Sequence, residues 1–315
     1  MDYFYGPLRD MLLIYLNFNY KCPFKCEYCV IENDPNDHDY YTSEINLNFI
    51  KKFKELKQPY VVNIAGGEPT LIPELLSYLK IIDSSPSCEV ISLFTNMIQD
   101  ISWFKEYHTY NFKNVLLKPS YHYQYSKKVN FINKIKQLLD LKINLEVEFM
   151  LGSTKKNVLD DLKRLLDLGA KVNIIELRNT NKYTDILDPK KKQIFHETLN
   201  SYIKKDDKKD RWEENKHIPK EIKDIPNLFS KEGFIQNGQL IKKPKDLCFK
   251  GWSCHPLQFT IDWEGEEKPF FKNICNSKKM TISEINDYSK KIKLIECTQN
   301  QCNATFAINY FKMKD

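Results

Sequence analysis

The chain has 315 residues, 42% hydrophobic and 29% charged, long enough for one large domain with an appendage or for two domains. Nine glycines and 14 prolines exclude a fibrous or low-complexity protein, and 48 Lys+Arg against 42 Asp+Glu read as a solvated lysine-rich surface rather than a nucleic-acid face, leaving an anionic substrate open. Asp2, Arg9 and Asp10 interrupt MDYFYGPLRDMLLIYLNF, so no signal peptide is expected, and no apolar run would cross a bilayer. A soluble cytoplasmic protein is therefore expected, whose nine cysteines are metal or cluster ligands rather than disulfides.

Strand and helix signals alternate through the first half. LLIYLNF (Leu12–Phe18) predicts a first strand, leading into a cysteine-rich loop. NFIKKFKELK (Asn48–Lys57) has helical spacing at Phe49, Phe53 and Leu56. YVVNIA (Tyr60–Ala65) predicts a buried second strand, followed by GGEPT, and TLIPELLSYLKII (Thr70–Ile82) a helix with Pro73 in its first turn. CEVISLFT (Cys88–Thr95) is the third strand, SWFKEYHTY a short helix, and NVLLKPSYH (Asn114–His122) the fourth strand and its exit. SKKVNFINKIKQLLDL places Val129, Ile132, Ile135 and Leu139 on one helical face, and INLEVEFML (Ile143–Leu151) is the fifth strand. KKNVLDDLKRLLDLG repeats the helical period at Val158, Leu162, Leu165 and Leu166 with Gly169 as C-terminal cap, before KVNIIELR (Lys171–Arg178), the sixth strand. Six such units imply an α/β fold with a parallel sheet, doubly wound or an incomplete barrel. Its reactive centre is expected where strands end, and there the cysteine loop, GGEPT and LFTNM are gathered. Lys190–Lys245 reads as a helix plus a polar connection.

Within NYKCPFKCEYCVIEND, Cys22, Cys26 and Cys29 are spaced C-x3-C-x2-C. Three thiolates on a short loop can hold three irons of a [4Fe–4S] cube, leaving the fourth iron open to a substrate or cofactor. The alternative is zinc, with His38 the nearest fourth ligand.

The three-cysteine loop after a first strand, with Tyr28 just before the last cysteine, and GGEPT (Gly66–Thr70) after the second strand together resemble the radical S-adenosylmethionine superfamily. The resemblance covers about Leu12 to Arg178 and implies a partial (β/α)6 barrel. It implies that Cys22, Cys26 and Cys29 ligate a [4Fe–4S] cluster whose open iron is chelated by S-adenosylmethionine. One electron then cleaves the sulfonium to a 5′-deoxyadenosyl radical that abstracts a hydrogen atom. Gly66 and Gly67 would let the backbone approach the methionine ammonium. Glu68 is the acidic position there, with a structural contact to the loop as the alternative. Tyr28 is expected near the adenine, or in plain packing. Thr95 and Asn96 are expected near the methionine carboxylate or ribose, although Met97 stands where the superfamily commonly has glycine. Ser120 and His122 would face S-adenosylmethionine or substrate. Glu148, Glu176 and Arg178 would line the cavity or pair with each other, because buried charge without a partner is costly.

Five further cysteines follow: Cys248, Cys254, Cys275, Cys297 and Cys302. LQFTIDWEG predicts a β-hairpin arm with a turn at Trp263–Gly265. The arrangement resembles the twitch or SPASM extensions of the same superfamily. It implies one auxiliary [4Fe–4S] cluster on Cys254, Cys275, Cys297 and Cys302, with Cys248 an alternative ligand or a free thiol. Structural zinc is the alternative, and His255 could replace a cysteine in either. Cys88 is expected to be an ordinary buried cysteine. The expected domains are a barrel over 1–185, a helical and polar connection over 186–247, and a small cysteine-rich cluster-binding extension over 248–315.

The resemblance leaves two substrates in competition. One is a peptide undergoing crosslinking, thioether formation or epimerisation. The other is a small molecule such as a sugar or aminocyclitol, oxidised or epimerised. Only 21 residues precede Cys22, so no preceding peptide-recognition domain is expected, which counts against a peptide although some members lack that domain, and Lys190–Lys245 could supply a binding surface instead. Peptide modification is the expectation. An epimerase would need a thiol to return a hydrogen atom, and Cys248 is the candidate catalytic residue. An electron donor of flavodoxin or ferredoxin type is expected, and no membrane or nucleic-acid partner. A non-catalytic iron–sulfur or zinc protein is the reading from another class.

Overall fold

The structure, a computed structural model, describes residues 2–4, 11–29, 43–177, 188–202, 227–230, 233–236, 239–242, 253–254, 258–264, 268–273, 278–290, 295–296 and 312–314. In chain order the elements are β1 (Asp2–Phe4), β2 (Leu12–Asn17), α1 (Ser43–Lys51), β3 (Tyr60–Ala65), α2 (Leu75–Asp83), β4 (Cys88–Thr95), α3 (Ile101–Thr109) and β5 (Val115–His122). There follow α4 (Phe131–Asp140), β6 (Val147–Leu151), α5 (Lys156–Asp167), β7 (Val172–Glu176), α6 (Pro189–Tyr202), β8 (Asn227–Ser230), β9 (Gly233–Gln236) and β10 (Gln239–Lys242). The last are β11 (Ser253–Cys254), β12 (Gln258–Glu264), β13 (Lys268–Asn273), β14 (Lys279–Met280), α7 (Ile282–Lys290), β15 (Ile295–Glu296) and β16 (Lys312–Lys314). No helix among the described residues is long and apolar enough to cross a membrane.

The chain divides into two compact units, one of Met1–Tyr15, Glu55–Val61 and Asp207–Asp315, the other of Leu16–Lys54 and Val62–Asp206. In the second unit the strands follow the order β4-β5-β6-β7 and pair in parallel, Thr95 opposite Pro119 and Ser120 opposite Glu148, and the ends of β2 and β3, from Leu16 and from Val62, belong to the same unit. This is an α/β fold with an open, mostly parallel sheet, as expected for a partial barrel.

Alternation along each strand sorts its side chains between two faces. On β5, Tyr121 turns toward the helices: its ring stacks on Phe149 of β6 at 4.4 Å, meets Phe131 of α4 edge-on, and its hydroxyl donates to Asp161 Oδ2 of α5 at 2.6 Å. Lys118, Ser120 and His122 therefore share the opposite face. Helix α5 forms as its sequence dictates. Val158, Leu162, Leu165 and Leu166 are buried, and the chain leaves through Gly169 at φ +76°, with Gly169 N and Ala170 N closing on Leu166 O and Leu165 O. Phe49, Phe53, Leu56 and Cys88 are likewise buried.

Several expectations need correction. The helix expected from Ser126 begins only at Phe131, because Asn130 adopts φ +52°, and its buried positions are Phe131, Ile135 and Leu138 rather than Ile132 and Leu139. The helix expected over Thr70–Ile82 is a short 3-10 turn, Pro69–Leu71, followed by α2 beyond Pro73. In the first unit, β12 and β13 form the expected antiparallel hairpin, but Trp263 and Glu264 are still paired strand residues, opposite Pro269 and Lys268. The segment expected as a helix plus polar connection contains α6 and then three antiparallel strands, β8 to β10. β12 also runs parallel to the start of β2, with Gln258 opposite Leu13, and β1 pairs with β16.

Candidate active site

Two loops meet at the strand ends of the second unit. After β2 the chain enters the cysteine loop, and after β3 it passes through Gly66 and Gly67 against that loop's first residues. Gly67 N donates to Asn19 O and Glu68 N to Lys21 O, both at 2.8 Å. A β carbon on Gly66 would lie 2.4 Å from Asn19 O, and Gly66 holds φ +110°. Glycine is required here so that two backbones can touch. Gly66 and Gly67 thus pass directly against the cysteine loop.

Glu68 is 1% exposed, and its carboxylate is directed at protein donors. Oε1 accepts from Thr70 N (3.1 Å), Thr70 Oγ1 (2.6 Å) and Thr95 Oγ1 (2.9 Å), while Oε2 accepts from Asn96 N (2.6 Å). Burial pushes its carboxyl above the usual range, with those donors working the other way. Glu68 therefore binds the end of β3 to the end of β4. Thr95 is committed to the same knot, since its hydroxyl also accepts from Met97 N. Met97, standing where glycine is common, takes φ +63° with its side chain fully buried.

Asn96 turns its Nδ2 to Cys22 Sγ at 3.4 Å, and its Oδ1 accepts from Ile98 N. At the end of β5, His122 Nδ1 lies 2.9 Å from the Tyr28 hydroxyl and 3.6 Å from Cys26 Sγ. Tyr28 and His122 therefore meet each other beside a motif cysteine. Phe24 stacks on Tyr125 at 4.1 Å, and Lys25 N donates to the Tyr125 hydroxyl at 2.9 Å. This aromatic clasp, Phe24 and Tyr125, was not identified in the sequence; its only signal was the tyrosine-rich run after the fourth strand. Burial holds His122 down to about 4, so its imidazole is neutral at neutral pH. Burial also pushes the Cys22 thiol up and the Cys26 thiol up to about 12, the latter opposed by a hydrogen bond from Tyr28.

Ser120 is buried on the same face of β5 as His122. Below it lies a charged group. Lys118 Nζ donates to Glu148 Oε1 at 2.8 Å and to Glu146 Oε2, and Asn173 Nδ2 donates to Glu148 Oε2 at 2.9 Å. Burial works against the Lys118 charge, but the Glu148 and Glu146 carboxylates outweigh it and hold the ammonium above its ordinary value. Glu148 thus pairs with Lys118. Arg178 and the Glu176 side chain lie outside the described residues, as do Cys248, Cys275, Cys297, Cys302, His38 and His255. Cys254 lies in β11, its side chain also outside them.

The residues present fit a cluster and its cofactor. A cube takes each thiolate on a separate iron, and the three partly buried cysteines come from one loop with Asn96 and Tyr28 donating toward two of the sulfurs. Among the described residues no three His, Cys, Asp or Glu side chains form a group that could hold a single metal ion. Beside Glu68, Asn19 Oδ1 is buried with no hydrogen-bond partner among the described residues, an acceptor left for a donor such as an ammonium.

No protein-family model matches the chain. Over 178 residues, 53% of this chain and 59% of the relative, it is 26% identical to the probable GTP 3',8-cyclase of Methanocaldococcus jannaschii, so it spans less than two thirds of that protein. Native anSMEcpe with bound AdoMet shares the fold at a TM-score of 0.50 and 16% identity, over 87% of this chain and 78% of that one. Streptococcus suis SuiB bound to precursor peptide SuiA gives 0.50 at 15% identity, over 61% of this chain and 46% of that one.

Proposed function

We propose, from the radical S-adenosylmethionine superfamily that the cyclase relative and the shared fold support, that this chain cleaves S-adenosylmethionine reductively and acts on a peptide, forming a crosslink or thioether or inverting a centre. The observation that carries the reading is the knot of strand ends around the cysteine loop. Gly67 and Glu68 bond its backbone, and Asn96, Tyr28 and His122 surround its sulfurs. Cys22, Cys26 and Cys29 would hold the cluster, and Asn19 Oδ1 would accept from the methionine ammonium. When bound, the reduced cluster and S-adenosylmethionine supply a 5′-deoxyadenosyl radical that takes a hydrogen atom from the substrate. The neutral His122 and the buried aromatic Tyr28 would flank the cluster at that end of the sheet.

What supports a peptide is the likeness to SuiB, crystallised with a precursor peptide. A second reading, oxidation or epimerisation of a small molecule, is supported by the cyclase relative, named for a nucleotide. In either, Cys254, Cys275, Cys297 and Cys302 would hold one auxiliary [4Fe–4S] cluster, with Cys248 an alternative ligand or a hydrogen-atom donor. A flavodoxin- or ferredoxin-type protein would supply the electron.

The test is anaerobic reconstitution, then dithionite and S-adenosylmethionine, with 5′-deoxyadenosine as the readout. The wild-type chain releases it and Cys26→Ala does not. Release undiminished in Cys26→Ala would refute the assignment. Retention of a second cube's iron when Cys22, Cys26 and Cys29 are all replaced by alanine tests the auxiliary cluster.

A further inference from the structure

Two of the three motif sulfurs face side-chain donors, one after the end of β4 and one in the cysteine loop backed by the end of β5. Asn96 Nδ2 stands 3.4 Å from Cys22 Sγ. His122 Nδ1 stands 3.6 Å from Cys26 Sγ and 2.9 Å from the Tyr28 hydroxyl, which itself hydrogen-bonds Cys26. We propose that Asn96 and the Tyr28–His122 pair are positioning residues that raise the reduction potential of the motif cluster by donating hydrogen bonds to the sulfurs of Cys22 and Cys26.

The proposal rests on the cluster assignment above. Reduction adds negative charge to a cluster, and its thiolate sulfurs share that charge. A donor proton held beside a sulfur stabilises the reduced form more than the oxidised one, so each such bond makes the cluster easier to reduce. The low polarity of a buried site strengthens the effect.

The proton inventory supports donation toward Cys26. With the imidazole proton on Nδ1, His122 can donate to the Tyr28 oxygen, which frees the Tyr28 O–H for the sulfur. With the proton on Nε2, the Tyr28 O–H would turn to Nδ1 and leave the sulfur without it. A thiolate beside the pair favours the first arrangement. Asn96 is fixed for its own donation at two points. Its backbone N–H is held by Glu68, its Oδ1 by Ile98 N, and its Nδ2 is left to face Cys22.

The test is a potentiometric titration of the anaerobically reconstituted full chain, followed by electron paramagnetic resonance. The motif cluster is identified by the signal that changes on adding S-adenosylmethionine. Asn96→Ser keeps an oxygen for Ile98 N and the backbone bond to Glu68, while Tyr28→Phe keeps the ring and removes the hydroxyl. Each variant, fully loaded with iron, is expected to have a more negative midpoint than wild type, and the double variant a still more negative one. Unchanged midpoints in both fully loaded variants would overturn the proposal. So would loss of iron from both, which would make the two residues supports for the loop rather than tuners of its potential. A wild-type chain with no signal responsive to S-adenosylmethionine would instead sink the cluster assignment itself.

Discussion

A β carbon placed on Gly67 would lie 2.1 Å from the carbonyl oxygen of Lys21, on the opposing backbone of the cysteine loop. Neither partner in that contact is a flexible side-chain end, so the strain cannot be relieved by a rotamer change. Gly67→Ala is expected to push the two loops apart and break the bonds Gly67 N to Asn19 O and Glu68 N to Lys21 O. The cost is about 3 kcal/mol, together with poor iron retention after reconstitution. Gly169→Ala is the contrasting case. Its φ of +76° imposes strain, but no atom lies within 4 Å of the added carbon, so only about 1 kcal/mol is expected. Urea denaturation of the two variants side by side measures the difference.

Met97 sets two terms against each other. Its positive φ costs roughly 1 kcal/mol in a non-glycine residue. Its fully buried side chain contributes more, since truncating a buried methionine costs about 2–5 kcal/mol. Met97→Gly is therefore expected to destabilise on balance, by about 1–4 kcal/mol, even though glycine suits the backbone better. A melting temperature equal to or above wild type would show that strain dominates.

Glu68 gives the knot a pH dependence. Because burial raises its carboxyl, the folded chain holds that proton more tightly than the unfolded chain does. Its contribution is full below the unfolded carboxyl range and is lost as pH rises through the raised folded value. Stability should decline across that window. Glu68→Gln should flatten the decline and cost about 1–3 kcal/mol, because an amide cannot accept from all four donors. Denaturation midpoints across the window for both chains check the slope.

What the sequence made legible followed from local rules. Strand β4 was readable to the residue, because Cys88–Thr95 is a continuous strand-forming run, and α5 because its apolar period and terminal glycine agree. The cysteine loop and GGEPT were readable as motifs. What Gly66, Gly67 and Glu68 touch was not, because Asn19, Lys21, Thr95 and Asn96 reach them only through tertiary packing. The start of α4 was misplaced because a helical period continues through Asn130, whose left-handed backbone no periodicity reveals. The partner of Glu148 was missed for a similar reason. Lys118 lies 30 residues away, on the neighbouring strand, and only the register Ser120 to Glu148 brings them together.

That register makes Lys118 the counter-charge for two carboxylates on one face of the sheet. Side-chain exposures are 13% for Lys118 and 5% for Glu148, so this pair is poorly screened, whereas Glu146 exposes 32% and adds less. Lys118→Met would take from the buried Glu148 its Lys118 ammonium, and removing one partner of such a pair costs about 3 kcal/mol. Glu148→Met would leave Lys118 with Glu146 alone and should cost less, about 1–2 kcal/mol. The double variant puts apolar chains at both positions, leaves no uncompensated charge from this pair, and is expected to recover part of the loss. A thermodynamic cycle over the four chains should therefore show coupling of about 1–3 kcal/mol. Strictly additive losses would mean that Lys118 and Glu148 act independently, and that Glu146 carries the charge balance on this face.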